Sequence, residues 1–183
     1  MNIIRTGIEG LLVIEPRIFG DDRGYFFEVF SERVFRSETG LDMHFVQDNE
    51  SKSMKGVLRG LHFQNPPYAQ DKLVRVVSGK VQDVAVDLRT GSPTFGKYHS
   101  EILDAERKNM LFIPAGFAHG FLALEDNTVF QYKCSRFYEP SSEASVFWND
   151  PEIGIEWMLP GLDYIISEKD RRAPLLSEKS YRF

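Results

Sequence analysis

Short apolar runs alternate with turn signals along most of the chain. The runs are rich in valine, isoleucine, leucine and phenylalanine, and clusters of glycine, proline, asparagine and aspartate separate them, as at residues 19–24, 65–67, 89–93 and 114–116. Several short strands at a spacing of roughly 8–12 residues are typical of an antiparallel sandwich or barrel. The pattern therefore predicts an all-β fold, an antiparallel sandwich or barrel with a few short helices.

Two segments favour those helices. In residues 31–40, Ser31 is a good N-cap, Glu32 falls in the first turn and Gly40 is suited to end the helix. Residues 167–172 predict a brief capped turn. The 183 residues contain no repeat, low-complexity segment or linker, which predicts a single domain over residues 1–183.

The run KLVRVVSGKVQDVAV predicts a β-hairpin closed by Ser78 and Gly79. In a hairpin with that two-residue loop, Val74 faces Asp83, and alternation makes Lys72 a diagonal neighbour of Asp83 on the same face. One interpretation is a polar pair on a face that also carries valines. The other is a solvated surface ion pair, which contributes little to stability.

The stretch GVLRGLHFQ, residues 56–64, places a cation and an imidazole three residues apart on an otherwise apolar strand. Strict alternation puts Arg59 and His62 on opposite faces of that strand. Both side chains face one cavity only if the strand is irregular, and Gly60 lies where a bulge would be accommodated. The sequence therefore predicts a bulge at Gly60.

The bulk composition argues against several classes of protein. A net charge of −5 and an isoelectric point near 5.4 do not provide the basic footprint of a nucleic-acid-binding protein. The single cysteine, Cys134, excludes an intrachain disulfide framework and suits a reducing compartment. No apolar run approaches the ~20 residues of a membrane span, and the first residues lack a signal-peptide pattern. We therefore expect a cytoplasmic protein that binds neither nucleic acid nor membrane.

Two segments resemble the metal-binding motifs of cupins but lack some of the ligands. His62 stands where the first motif has its first histidine, and His119 stands where the second motif has its histidine. Gln64 replaces the next histidine, and Lys72 occupies the spacing of the glutamate. An ammonium group removes a ligand and repels a divalent cation. The sequence therefore predicts a cupin-type scaffold without a metal, in which acid–base groups replace the metal centre.

Several segments, in order, resemble the dTDP-4-dehydrorhamnose 3,5-epimerase family over about residues 10–175. They are EPRIFGDDRGYFFE, FVQDNESKS, VLRGLHFQ, AQDKLVRVVSGKVQDVAVDLR, GSPTFGKY, IPAGFAHGF, YKCSRFYEPSSE and WNDPEIGIEW. The resemblance implies a cupin jelly roll, no metal or organic cofactor, and a homodimer that exchanges N-terminal strands. It implies conversion of dTDP-4-dehydro-6-deoxy-D-glucose, a dTDP-4-keto-6-deoxyhexose, to dTDP-4-dehydro-L-rhamnose in dTDP-L-rhamnose biosynthesis.

The resemblance also assigns roles to the residues that match the family motifs. His62 matches the general base, Tyr132 the proton donor and Asp170 the carboxylate that orients the histidine. Lys72 matches the lysine near the C4 carbonyl of the sugar, and Asp83 is expected to hold that lysine. The implied substrate contacts are Arg23, Phe26, Glu28, Gln47, Asn49, Arg59, Lys72, His119, Glu143 and Lys169, with Tyr138 stacking on thymine. Arg23 and Glu28 are the first candidates to come from the partner subunit.

The residue types suit the implied chemistry. A 4-keto group acidifies the protons on C3 and C5, so inversion needs a base on one face of the ring and an acid on the other. An imidazole, with an unperturbed pKa of ~6.5, is a weak base for such a proton. The enolate must therefore be stabilised as it forms, and the Lys72 ammonium is our candidate for that role.

Other interpretations stay open at this stage. The protein could be a mono-epimerase acting at C3 or C5 only, a 3,4-ketoisomerase, a non-catalytic nucleotide-sugar-binding cupin or a metal-dependent dioxygenase. Single residues also have purely structural interpretations. Tyr132 shares a strand face with Phe130 and Cys134 and could be a core tyrosine, and His119 could be a hydrogen-bonded histidine at the start of a strand.

Overall fold

The computed structural model describes residues 1–178, 181 and 183. The strands are β1 (Asn2–Arg5), β2 (Leu12–Glu15), β3 (Phe19–Asp21), β4 (Gly24–Phe26), β5 (Gln47–Ser53), β6 (Val57–Gln64), β7 (Lys72–Ser78), β8 (Lys80–Asp87), β9 (Tyr98–Asp104), β10 (Met110–Ile113), β11 (Phe117–Ala123), β12 (Thr128–Cys134), β13 (Glu143–Ser145) and β14 (Ile165–Ile166). The helices are α1 (Glu32–Thr39) and α2 (Glu168–Arg171), with 3₁₀ turns at Pro140–Ser142 and Leu176–Glu178.

Two sheets face each other across an apolar core. The first sheet has the order β1-β2-β10-β7-β12-β5, and the second has the order β13-β6-β11-β8-β9 with β14 beside β6. Neighbouring strands are antiparallel except β14 and β6, which are parallel. Val74 and Phe130 of the first sheet pack against Val81 and Phe121 of the second. The predicted all-β sandwich is confirmed.

Both predicted helices form where the capping residues place them. The Ser31 side chain accepts a hydrogen bond from the Val34 amide, and Gly40 ends α1 in the left-handed conformation with φ of 76°. α1 buries Phe35 against the outer face of the first sheet. Ser167 caps α2 by accepting from the Asp170 amide at 3.1 Å. Among the described residues, neither helix is long and apolar enough to cross a lipid bilayer.

The predicted hairpin around Ser78 and Gly79 is wrong. β7 pairs with β10 and β12 in the first sheet, whereas β8 pairs with β11 and β9 in the second. Gly79, at φ of 79°, turns the chain from one sheet to the other so close to Thr128 that a Cβ would lie 2.4 Å from its Oγ1. Lys72 and Asp83 therefore belong to facing sheets. A short turn signal does not show whether the strands that it joins pair or separate.

The predicted bulge at Gly60 is confirmed. The register between β6 and β11 pairs Phe121 with Arg59 and His119 with His62, so β6 contains one extra residue. Gly60 has a φ of 129°, and a Cβ there would lie 2.5 Å from the Cα of Gly120. Only glycine fits this close approach, and the bulge brings Arg59 and His62 to the same cavity.

The N-terminal segments differ in how they are covered. β2 is buried and pairs with β1 and β10 of its own chain. β3 and β4 pair only with each other among the described strands, and β4 of this β3–β4 hairpin exposes Tyr25 and Phe26, the latter to 69%.

Candidate active site

A cavity of about 590 Å³ opens between the two sheets. Its wall is built mainly from β5, β7 and β12 of the first sheet, from β6 and β11 of the second, and from the segment around β14 and α2. The lining side chains predicted from the sequence are Gln47, Asn49, Arg59, His62, Lys72, His119, Tyr132, Tyr138, Glu143, Lys169 and Asp170. Residues that lie more than 120 positions apart in the chain thus share one compartment.

His62 and Asp170 form a hydrogen-bonded pair. His62 Nε2 lies 2.6 Å from Asp170 Oδ1, and the Gly60 amide donates to Asp170 Oδ2 at 3.4 Å. β14 runs beside β6, so the chain that follows it places α2 and its Asp170 behind His62. Burial alone would raise the pKa of Asp170, but the hydrogen bonds from His62, the Gly60 amide and Ser167, together with the charge of His62, outweigh burial and lower the pKa. The carboxylate therefore stays ionised and fixes the ring, leaving Nδ1 for the cavity.

Lys72 enters the cavity from the facing sheet. Its Nζ donates to the main-chain oxygen of His62 at 3.4 Å. Burial lowers the pKa of Lys72, and the nearby groups of Cys134, Asp83 and Glu143 oppose this shift. The amine is thus close to the imidazole and only partly compensated by negative charge.

The prediction that Asp83 holds Lys72 is wrong about the hydrogen-bonded partner. Both Asp83 oxygens lie within hydrogen-bond distance of His119 Nε2, at 3.0 and 2.9 Å. Asp83 and His119 are on the neighbouring strands β8 and β11, whereas Lys72 reaches the same region from the other sheet. The predicted pairing depended on the hairpin, which does not form.

Tyr132 lies on the sheet that faces His62. It shares the inner face of β12 with Phe130 and Cys134, as alternation predicts, and all three line the cavity. Burial raises the pKa of Tyr132, and the charge of Arg59 acts in the opposite direction. The phenol therefore stays protonated at neutral pH and can donate its proton. Imidazole and phenol line the same cavity from opposite sheets.

The mouth of the cavity carries a polar cluster. Glu143 Oε2 lies 2.5 Å from Lys169 Nζ and accepts from the Tyr138 hydroxyl at 3.1 Å. The Tyr138 amide donates to Gln47, whose side-chain amide donates to Asn49. These contacts join the edge strand β5 to β13 and α2 across the opening.

Three of the predicted substrate contacts lie away from the cavity. Arg23 and Phe26 are on the exposed β3–β4 hairpin, and Glu28 follows it on the surface. The Arg23 side chain is 89% exposed and pairs with Asp21 at 2.5 Å. Within one chain the structure does not bring these residues to the site.

The departures from the cupin metal motif have structural consequences. Gln64 donates to the Tyr68 main-chain oxygen at 2.7 Å and accepts from the Glu139 amide at 2.8 Å, so it holds two loops. In the described part of the chain, no three histidine, cysteine, aspartate or glutamate side chains come together in a metal-binding arrangement. The donor set does not fit a cupin metal centre.

Sequence reasoning missed several residues of the cavity. Cys134 accepts from the Asn49 side chain at 3.8 Å, and Phe121 stacks on Phe130 with ring centroids 4.3 Å apart. Alternation along β12 already indicated the face of Cys134. The contribution of Ser167, which caps the helix that carries Asp170, was visible only as a capping signal.

Comparison with known proteins agrees with this site. The sequence profile described as dTDP-4-dehydrorhamnose 3,5-epimerase matches residues 5–178. The dTDP-4-dehydrorhamnose 3,5-epimerase of Escherichia coli K12 is 53% identical over 179 residues, which cover 97% of this chain and 96% of that protein. The chain belongs to the dTDP-4-dehydrorhamnose 3,5-epimerase family. The family and the isomerase class predicted from the sequence are confirmed.

Solved structures of this family superpose closely on the chain. The dTDP-4-dehydrorhamnose 3,5-epimerase of Elizabethkingia anophelis has a TM-score of 0.94 at 50% identity, covering 99% of each chain. The dTDP-6-deoxy-D-glucose 3,5-epimerase of Legionella pneumophila, solved with dTDP-4-keto-L-rhamnose, has a TM-score of 0.92 at 49% identity and covers 96% of this chain and 93% of its own. The cupin-type sandwich is therefore the fold of the family.

Proposed function

We propose that this chain inverts C3 and C5 of dTDP-4-dehydro-6-deoxy-D-glucose, which yields dTDP-4-dehydro-L-rhamnose. The observation that carries the proposal is the placement of His62 and Tyr132 on facing sheets around one cavity. A hexose ring between them would meet a base on one face and an acid on the other. Family membership and the relatives' names support the choice of substrate.

His62 acts as the base. Asp170 accepts a hydrogen bond from Nε2, which leaves Nδ1 as the nitrogen that removes a proton from the carbon next to the ketone. The same carboxylate stabilises the imidazolium as it forms. A base held in this way needs no further reorientation during the reaction.

Lys72 stabilises the enolate. Deprotonation at C3 or C5 moves negative charge onto the C4 oxygen, and a cation fixed in a cavity between two sheets stabilises that charge more strongly than water does. Burial lowers the pKa of Lys72 because it removes water from around the ammonium group. The negative charge of an enolate oxygen beside this group stabilises the ammonium form in place of that water.

Tyr132 returns a proton on the opposite face. Its hydroxyl is protonated at neutral pH, and the charge of Arg59 eases the loss of that proton. Inversion at each carbon then consists of proton removal on one face and proton delivery on the other. Each round leaves His62 protonated and Tyr132 deprotonated, so His62 releases its proton to solvent and Tyr132 takes one from solvent before the same pair inverts the second carbon.

The nucleotide occupies the mouth of the cavity. Arg59 has the fork geometry that suits diphosphate oxygens, and its Nε already donates to Ser53 at 3.2 Å, which fixes its direction. The half-exposed Tyr138 ring supplies a surface for thymine beside Glu143 and Lys169. The diphosphate thus lies between the ring stack and the catalytic groups.

A homodimer completes the site. β5 forms one edge of the first sheet and borders the cavity, while the β3–β4 hairpin leaves the apolar side chains of Phe19 and Phe26 more than half exposed. An uncovered edge strand and an uncovered hairpin are suited to pair between two copies. In the dimer, Arg23, Phe26 and Glu28 of each copy reach the cavity of the other.

The test is proton NMR of the 4-keto sugar nucleotide incubated with the protein in deuterated water. We expect deuterium at both C3 and C5. Incorporation at one carbon only would identify a mono-epimerase, and no incorporation with intact dTDP binding would identify a non-catalytic binding protein. Either outcome contradicts the double epimerisation.

A further inference from the structure

The His119–Asp83 pair is a second imidazole–carboxylate pair beside the one that the mechanism uses. His119 and His62 are direct partners across β6 and β11, so the two rings start from opposite positions on adjacent strands. Asp83 is 0% exposed, and the His119 side chain is only 8% exposed. The proposed reaction gives Asp83 no role.

The hydrogen bonding of this carboxylate is unusual for its burial. In the described part of the chain, its side-chain oxygens are bonded only to His119 Nε2. A buried carboxylate normally needs several donors, because its desolvation costs several kcal/mol. The fold therefore keeps an expensive group at this position, which indicates a use other than stability.

The pair also fixes the protonation of the ring. An ionised carboxylate only accepts hydrogen bonds, so the proton between the two groups belongs to Nε2. Burial lowers the pKa of His119; Asp83 opposes this effect, and the charges of Lys72 and His62 add to it. The ring is thus held neutral, with Nε2 protonated and Nδ1 as an acceptor.

The other ring nitrogen of His119, Nδ1, is available to a ligand in the cavity. His119 lines it, and no described residue forms a hydrogen bond with Nδ1. The Phe130 ring stacks on the imidazole at 22° with centroids 6.0 Å apart, which fixes the plane of the ring. A fixed acceptor of this kind is suited to a hydroxyl group and is unsuited to a phosphate oxygen, which also accepts.

We propose that Asp83 is a positioning residue that holds the Nε2–H tautomer of His119, so that Nδ1 accepts a hydrogen bond from a hydroxyl of the hexose. This inference rests on the proposed function, because the hexose is the substrate proposed there. The family resemblance already implies that His119 contacts the substrate; the inference adds which nitrogen binds the hexose, which tautomer this requires and that Asp83 holds it, and leaves the diphosphate to Arg59. A sugar that lacks the hydroxyl would leave the buried acceptor unpaired and would bind less well.

The binding experiment compares dTDP with dTDP-L-rhamnose, an unreactive hexose nucleotide, by calorimetry. We expect His119→Gln to weaken dTDP-L-rhamnose about tenfold, the scale of one buried hydrogen bond, and to leave dTDP within about twofold. Asp83→Asn should act in the same direction. The matched control, His99→Gln on β9, should change neither affinity. The inference would be overturned if His119→Gln lowered the affinity for both ligands equally, or for neither. It would also be overturned if wild-type protein bound dTDP-L-rhamnose no more tightly than dTDP.

Nitrogen-15 NMR of the histidine side chains tests the role of Asp83 separately. The chain has four histidines, so single variants assign each signal. We expect wild-type His119 to be one neutral Nε2–H tautomer, and Asp83→Asn to lose that single tautomer while the fold is retained. A wild-type Nδ1–H tautomer or a charged ring at neutral pH contradicts the inference. This readout does not depend on turnover, so it stays distinct from a failure of the deuterium experiment.

Discussion

Two aspartates of β8 are equally buried but have very different surroundings. Asp83 and Asp87 are both 0% exposed and lie four residues apart in the same strand. Asp87 accepts hydrogen bonds from Arg89, Ser92 and Thr94, five in all, at 2.6 to 3.0 Å. Asp83 is bonded to a single nitrogen of His119.

The difference separates a structural carboxylate from a functional one. Asp87 organises the turn after β8, because its donors come from the residues that immediately follow. Asp83 lies behind His119, which lines the cavity, and leaves most of its acceptor capacity unused. Removing a cavity group should therefore change activity more than stability, and removing Asp87 should do the reverse.

The largest expected effect comes from replacing a residue that lines the cavity, His62. His62→Ala should lower kcat by about 10³, because general-base catalysis contributes ~10²–10⁴ in rate. The free energy of unfolding should fall by about 1–3 kcal/mol, because the buried Asp170 carboxylate loses its 2.6 Å partner, and this is less than the roughly 4 kcal/mol that a 10³ loss of rate represents. Turnover is measured by NMR, stability by urea unfolding and dTDP affinity by calorimetry. His99→Ala serves as the control, and normal turnover in His62→Ala would remove the catalytic assignment.

The next largest effect is the loss of stability when Asp87, which organises the turn after β8, is replaced. Burial alone would raise the pKa of Asp87, but the donors from Arg89, Ser92 and Thr94 lower it from 3.8 to about 2. A pKa lowered on folding stabilises the protein above the unfolded value and ceases to do so as the pH falls through the folded value. Asp87→Asn should therefore cost about 2 kcal/mol at pH 7, with roughly half of that cost gone at pH 3.

Urea unfolding at pH 7 and pH 3 measures that cost. The exposed Asp163 supplies the control, since Asp163→Asn should change stability by less than about 0.5 kcal/mol at either pH. A cost for Asp87→Asn that stayed constant between the two pH values would show that the lost contacts, and not the charge, stabilise the turn.

The sequence predicted the parts of this molecule that depend on local signals. The caps at Ser31, Gly40 and Ser167 follow from residue type, and the bulge at Gly60 follows from the need to turn Arg59 and His62 to one side. The resemblance to a known family located the cavity residues, because motifs carry spacing even when the three-dimensional neighbours are distant in the chain.

The sequence could not show which strand pairs with which. Ser78 and Gly79 connect two strands equally well within one sheet or across two, and the choice depends on the buried partners that β7 and β8 find elsewhere in the chain. The wrong pairing of β7 with β8 also led to the wrong prediction that Asp83 is the hydrogen-bonded partner of Lys72. Arg23 and Glu28 illustrate a second limit, because the position of an exposed hairpin depends on what covers it.

The smallest expected effect is that of Asp83 on stability. Asp83→Asn should lower the free energy of unfolding by less than about 1 kcal/mol at pH 7. A variant more stable than the wild type would also agree with this prediction. A buried charge with one donor recovers little of its desolvation cost, so a neutral amide of the same shape loses little by replacing it. Urea unfolding beside Asp87→Asn gives the direct contrast. A loss as large as that of Asp87→Asn would show that Asp83 is structural, and the difference between the two aspartates would then lie in their partners alone.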